Sequence, residues 1–321
     1  MTSIDFQPHR LLRTGHLQTL AGVYWPHRRD TTPAHHRRVV LGDGDQLVLH
    51  DDCPPGWQPG QRAALLIHGL AGCHASPYMQ RIAAKLNARG VRAFRMDLRG
   101  CGAGFGLARM PYHSGRSEDA AAALSAIGEL CPGSPVALVG FSLGGNITLK
   151  LVGESAASLP ANLDRAMAVC PPVDLLTCVR SLARGVNRFY DRHFVQLLVR
   201  QVFDLRARIP DAPGLPANVV PRGVFDFDEM FTAPVCGFGT ALNYYRLCSS
   251  AQFVPEIRLP TQILAAADDP LVPGAMFGEL RLSPAVHLAL SRSGGHLGFI
   301  ARRNGDPDRR WMDWRVVDWC V

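Results

Sequence analysis

The chain of 321 residues predicts an α/β fold: a mostly parallel central sheet flanked by helices, with a helical lid inserted into it. Three observations carry that expectation. Short continuous apolar runs such as Ala63 to Ile67 (AALLI) and Thr261 to Ala266 (TQILAA) have the character of strands buried on both faces. Segments of helical spacing follow such runs, as in Ser76 to Arg89, where Met79, Ile82, Ala83 and Leu86 recur on one side. The rhythm breaks once, from about Leu175 to Glu256, in a stretch rich in Arg, Phe and Pro with no clear strand.

In chain order, residues 39 to 51 read as an antiparallel hairpin turning at Gly42-Asp43-Gly44. The strand 63 to 67 ends in His68-Gly69, and the next helix opens on a Ser-Pro pair and stops at Gly90. Strand Val91 to Met96, helix Ser117 to Leu130, strand Val136 to Phe141, helix Leu143 to Val152 and strand Ala166 to Cys170 continue the alternation. After the interruption come strand 261 to 266, strand Ala285 to Leu290 (AVHLAL) and a terminal helix containing Trp311, Trp314 and Trp319. The core is therefore expected at 1–174 and 257–321, and the lid at 175–256.

Composition narrows the class. An apolar fraction of 47% with 19% charged residues belongs to a folded protein with a large core. The start MTSIDFQPHRLLRTGHLQ is polar and basic, and no apolar run is long enough for a membrane span, so a soluble cytoplasmic protein is expected. Nine cysteines, odd in number and without a CxxC pair, suggest neither a zinc site nor a disulfide framework; they read as reduced, mostly buried small hydrophobes. The formal charge of +7 is carried almost wholly by arginine, Lys85 and Lys150 being the lysines. His27-Arg28-Arg29 and His35-His36-Arg37-Arg38 could touch phosphate or an anionic membrane surface, but a solvated surface is the plainer reading, and no recognised nucleic-acid motif accompanies them.

The chemistry concentrates at Gly140-Phe141-Ser142-Leu143-Gly144, a GxSxG placed directly between an apolar strand and a helical segment. That is the context of a nucleophile elbow, where a strained turn leaves no room for side chains two residues either side of the serine. The arrangement belongs to the α/β-hydrolase fold, whose triad follows the chain order serine, acid, histidine. Strand 261–266 is followed by Asp268 and Asp269; Asp269, four before Pro273, is taken as the acid, with Asp268 as a turn or capping residue and Asp174 as a more distant candidate. Strand 285–290 leads into Ser293-Gly294-Gly295-His296, whose glycines let the loop carry His296 over the serine as general base. The backbone N–H groups of Leu70 and Leu143 are the expected oxyanion donors. His68, at a strand end, is assigned a structural hydrogen-bonding role. Gly100-Cys101-Gly102-Ala103-Gly104 lacks GxGxxG spacing and reads as a mobile loop bordering the pocket, so no cofactor and no metal is expected.

Several stretches beyond the GxSxG stand out: Gly15-His16-Leu17-Gln18-Thr19-Leu20, His68 to Gly72 with Ser76-Pro77-Tyr78, Arg99-Gly100-Cys101 and Tyr112-His113-Ser114-Gly115. Further on come Asn187-Arg188-Phe189-Tyr190-Asp191, Thr232-Ala233-Pro234, Gly237-Phe238, Asn243-Tyr244-Tyr245 and the segment Gly294 to Phe299. In these the chain resembles the YheT-like, or AB hydrolase 4, family along nearly its whole length. The resemblance implies a triad of Ser142, Asp269 and His296 and action on carboxylic esters: short-chain esters, acylglycerols or phospholipids, with acyl transfer to alcohols in some eukaryotic members. The expected partner is a small ester or lipid substrate, with no nucleic acid and at most peripheral membrane contact. The rival readings are an acyltransferase with the same triad, a non-catalytic binding protein on a hydrolase scaffold, and a nucleic-acid binder.

Overall fold

The structure, a computed structural model, describes residues 6–26, 34–303 and 305–321. The basic run His27-Arg28-Arg29 lies outside the described residues, whereas the His35 to Arg38 run forms part of a strand, its residues exposed.

The described residues form one sheet of eight strands: β1 His35–Val40, β2 Gln46–Asp52, β3 Ala63–Ile67, β4 Arg92–Asp97, β5 Val136–Phe141, β6 Leu163–Val169, β7 Thr261–Ala266 and β8 Val286–Ser291. Their spatial order is β1-β2-β4-β3-β5-β6-β7-β8. From β4 to β8 every pairing is parallel, and the β1–β2 hairpin joins antiparallel on the β4 side. The helices between strands are α2 Pro77–Asn87, α3 Ser117–Leu130 and α4 Leu143–Glu154, preceded by α1 Gly15–Tyr24 and followed at the chain end by α10 Trp311–Cys320. The residues between β6 and β7 are helical, as α5 Leu175–Leu182, α6 Arg188–Arg208, α7 Val224–Phe227, α8 Ala233–Val235 and α9 Ala241–Cys248, with a π turn at Asp228–Thr232.

The period of two along β3 divides its side chains between two cores. Ala63, Leu65 and Ile67 pack with Leu124 and Ile127 of α3 and Ile147 of α4. Ala64 and Leu66 face the other way, toward Met79, Ile82 and Leu86 of α2 and Trp311 and Val316 of α10. Both faces are covered, which is why the strand reads as an unbroken apolar run. Each fully buried leucine, isoleucine or methionine among them contributes roughly 1.5–3 kcal/mol relative to exposure.

Most elements lie where the sequence places them, with three informative differences. β6 starts at Leu163, three residues ahead of the expected Ala166, because Asp164 and Arg165 disguise its beginning; Asp164 takes both ends of the Arg62 guanidinium at 2.9 Å. The hairpin expected over 39 to 51 begins earlier, at His35, and runs one residue further, to Asp52; Asp51 and Asp52 are each neutralised by an arginine of β4, Arg92 at 2.7–2.8 Å and Arg95 at 2.6–2.9 Å. Helix α1 has no counterpart in the expected series, because it buries Gln18 and Thr19 and exposes leucines, the reverse of the pattern that marks a helix.

Six of the nine cysteines are buried, Cys53 is exposed, and all nine are free thiols. No helix among the described residues is long and apolar enough to cross a membrane.

The α2–α10 layer is fastened by one carboxylate. Asp313, 1% exposed, accepts from Arg81 Nε at 2.8 Å and Lys85 Nζ at 3.0 Å. Removing it leaves a buried guanidinium without its counter-ion, a change that costs about 3–5 kcal/mol. Asp313→Ala is therefore expected to lower the urea-unfolding free energy by about that amount, and an unchanged midpoint would refute the assignment.

Candidate active site

Ser142 stands at the sharp turn from β5 into α4 with φ 52° and ψ −120°, a left-handed conformation a serine adopts only under constraint. The sheet supplies it: the Ser142 N–H donates to the Val169 carbonyl of β6 at 2.8 Å. The two flanking glycines are sterically required. A Cβ on Gly140 would lie 2.1 Å from the Gly144 carbonyl oxygen, and one on Gly144 would lie 2.4 Å from that of Ile67. The GxSxG spacing is thus a packing condition on the strand–helix crossing.

The loops after β7 and β8 converge on this turn. His296 Nε2 lies 2.9 Å from Ser142 Oγ, and its Nδ1 lies 2.8 Å from Asp269 Oδ2. A carboxylate only accepts, so Nδ1 carries the proton and Nε2 presents its lone pair to the serine hydroxyl. Asp269 is fixed in turn, since its Oδ1 accepts from the Leu271 and Val272 amides at 2.8 and 3.0 Å. The neighbouring Asp268 points elsewhere and accepts the Gly295 amide at 2.9 Å, bracing the histidine loop. Asp174 caps α5 by accepting from Thr177.

Helix α1 holds the same loop from the other side. Thr19 Oγ1 accepts the His296 amide at 2.9 Å and donates to the Gly15 carbonyl at 2.7 Å. Gln18 pairs with both backbone groups of Ile300, at 2.7 and 3.1 Å. A Cβ on Gly295 would meet the Gly15 carbonyl oxygen at 2.3 Å, so helix and loop touch backbone to backbone. Residue roles did not reveal this; the GHLQT stretch stood out only as part of a resemblance.

The segment after β3 presents the remaining amides. His68 is fully buried: its Nε2 accepts the Leu98 amide at 3.1 Å, so Nδ1 bears the proton and donates to the Gly69 carbonyl at 2.8 Å. Burial lowers its pKa, keeping the ring neutral. The Gly69 N–H donates to Tyr78 Oη and the Ala71 N–H to Tyr112 Oη, both at 2.9 Å. Neither the Leu70 nor the Leu143 amide donates to another group among the described residues. Both tyrosines are supports that the reading of roles missed, although each lies in a stretch that carries the resemblance.

Ser142, His296, Leu70 and Leu143 line a cavity whose walls are mainly apolar. Val179 and Leu182 of α5 and Phe194, Leu198 and Val202 of α6 project into it, the latter at the i, i+4, i+8 spacing of one helix face. Tyr112 and Gly100 belong to the lining. The expectation for the glycine loop needs correcting at Gly102 to Gly104, which form a 3₁₀ turn outside that lining. Ala103 N–H donates to Asp97 Oδ2 at 2.8 Å, and a Cβ on Gly102 would meet the same carboxylate at 2.4 Å.

Asp97 also gathers His50 Nε2 at 2.9 Å and His74 Nδ1 at 2.8 Å. Burial alone would raise its pKa, but hydrogen bonds from His50 and His74 hold it well below the usual carboxylate range. The trio does not suit a shared metal ion. The two imidazoles stack with centroids 3.4 Å apart and planes 14° from parallel, so they cannot both aim an in-plane lone pair at one ion.

With this geometry in view, the α/β hydrolase fold family model matches residues 64–302. The chain belongs to that family. YheT of Escherichia coli (strain K12) is 32% identical over the whole of this chain and 94% of its own. The monoacylglycerol lipase of Saccharomyces cerevisiae is 27% identical over 83% of this chain, which spans 59% of the lipase. The Pyrococcus furiosus esterase Pf2001 superposes with a TM-score of 0.58 at 14% identity, covering 92% of this chain and 96% of its own, a likeness of fold. The chain is an enzyme of the esterase and lipase type.

One polar group in the apolar cavity stands out. Asp228 accepts from Tyr245 Oη at 2.7 Å, and burial pushes its carboxyl from 3.8 up to about 6, against the lowering effect of hydrogen bonds from Tyr245 and Thr232. The folded chain keeps this proton where the unfolded chain has lost it, so stability falls as pH rises from about 4 to about 6 and stays lower above. A shift of this size corresponds to at most about 3 kcal/mol. Asp228→Asn keeps an acceptor for Tyr245 and removes the charge. Chemical denaturation should find it more stable than wild type at neutral pH by up to about 3 kcal/mol, with the gain vanishing near pH 3.5; equal gains at both pH values would sink the explanation.

Proposed function

We propose that the chain hydrolyses carboxylic esters through an acyl-Ser142 intermediate, with His296 as general base, Asp269 as its orienting carboxylate, and the Leu70 and Leu143 amides as oxyanion donors. The observation that carries this reading is the unbroken hydrogen-bond series from Asp269 through His296 to Ser142, opening into an apolar cavity. His296 Nε2 takes the hydroxyl proton as Ser142 Oγ attacks the ester carbonyl. The C=O electron pair moves to oxygen, where two preorganised N–H donors stabilise it. The imidazolium then protonates the departing alcohol, and the tetrahedral centre collapses to the acyl-enzyme. Water then adds to the acyl carbon as His296 takes its proton, the second tetrahedral centre collapses by breaking the bond to Ser142 Oγ, the imidazolium returns the proton to that oxygen, and the acid leaves. Asp269 fixes the tautomer throughout and stabilises the imidazolium.

The lining supports an acyl chain as the group bound beside Ser142: short- to medium-chain esters, or acylglycerol and phospholipid-type lipids. The helices of residues 175–256 act as a cap whose α5 and α6 faces receive that chain. Each further methylene buried there contributes up to about 0.8 kcal/mol, roughly fourfold in binding.

Labelling with a fluorophosphonate probe and turnover of p-nitrophenyl esters of graded length test the reading together. Ser142→Ala is expected to lose both. Asp269→Asn is expected to lose on the order of 10³–10⁴ in kcat, and Asp268→Asn far less, because its partner is a loop amide. Labelling that survives in Ser142→Ala would refute the nucleophile. Product analysis with added alcohol distinguishes hydrolysis from acyl transfer, which the same residues could perform.

A further inference from the structure

Helix α1 is built inside out. Its polar residues, Gln18 and Thr19, are buried against the histidine loop. Its outward residues are Leu17, Leu20, Val23 and Tyr24, exposed by 43, 45, 55 and 78%. At about 100° per residue Leu17, Leu20 and Tyr24 fall within an arc of about 60°, so they form one stripe. A surface helix of a globular protein ordinarily shows water the opposite face.

Exposed basic residues stand beside the stripe, Arg10 and Arg13 lying just ahead of the helix. Across the contact between His16 Nδ1 and Tyr190 Oη, 3.1 Å long, the cap continues the pattern: Phe189 is 72% exposed, beside the exposed Arg188.

We propose that this face docks on an anionic lipid surface, with the apolar side chains entering the headgroup–acyl boundary and the arginines pairing with lipid phosphates. A helix lying in the interface plane, apolar toward the acyl chains and flanked by basic residues, is the arrangement such binding requires. A second copy of the chain suits the face less well, because an isologous contact would bring arginines against arginines. The docking goes beyond the ester-hydrolase reading and does not depend on it. It has a consequence for it: the helix that meets the lipid is the one whose Thr19 holds the His296 amide.

Co-sedimentation with vesicles tests the proposal, using wild type and Ser142→Ala so that binding is read apart from turnover. Both should pellet with mixed phosphatidylcholine–phosphatidylglycerol vesicles, release at high salt, and bind phosphatidylcholine alone far more weakly. The triple variant Leu17→Ser/Leu20→Ser/Tyr24→Ser should bind about tenfold or more weakly, with unchanged circular dichroism and retained hydrolysis of a soluble short-chain ester. Arg10→Gln/Arg13→Gln, which leaves the helix untouched, should weaken binding by about tenfold. The proposal is overturned if wild type ignores anionic vesicles, or if the triple variant binds as wild type does. It is equally overturned if light scattering shows a wild-type dimer that the triple variant dissolves, which would make a second copy the occupant.

Discussion

The site depends on one tight crossing, the close approach of α4 to the ends of β3 and β5 that holds Ser142 in a left-handed conformation. A non-glycine residue in that region stores on the order of 1–3 kcal/mol, released as soon as the surroundings relax. Here they cannot relax, because β5 lies between β3 and β6 and the Ser142 amide is spent on Val169. The strand order then decides the rest. β7 lies two places from β5 and β8 three, so the loop after β7 reaches the imidazole from nearby while the loop after β8 must double back toward the serine. Its return is achieved by Gly294 and Gly295 at positive φ and by the backbone contact with α1.

Charge is used to hold, more than to react. The hairpin at the sheet edge is joined through Asp51 with Arg92 and Asp52 with Arg95, while Arg99 is clasped by Asp119, Asp45 and Asp43. Buried pairs of this kind add little net stability, but each partner makes the other's displacement expensive and so fixes the loops that follow β4. The segment after β3 is treated differently. Tyrosine hydroxyls engage the amides of Gly69 and Ala71, while the Leu70 amide between them, the donor proposed for the oxyanion, bonds to no other described residue.

The sheet was legible because burial on both faces writes itself as continuous apolar runs, as in AALLI and TQILAA. The elbow was legible because steric exclusion there admits only glycine; of the two adjacent aspartates, Asp269 meets the imidazole and Asp268 a loop amide. What escaped has a physical reason each time. Asp164 and Arg165 hid the start of β6 because their charges are satisfied sideways, by Arg62 and by each other. Tyr78 and Tyr112 are separated in sequence from the amides they hold, and a hydroxyl's partner leaves no mark on spacing. Gly102 was placed at the pocket because glycine suggests mobility, whereas here its missing side chain makes room for the Asp97 carboxylate.

Helix α1 was the hardest element to read, and the cause lies in what it does. The loop that returns His296 to the serine exposes amides at His296 and Ile300 that no strand is left to pair. An apolar helix face would bury them unsatisfied, at a cost of about 1–3 kcal/mol each. A helix placed there must therefore turn hydroxyl and amide side chains inward, which leaves its apolar residues the outward side. The inversion that erased the periodicity is thus the condition for bracing the histidine loop, and it is also what leaves Leu17, Leu20 and Tyr24 in need of a surface to cover them.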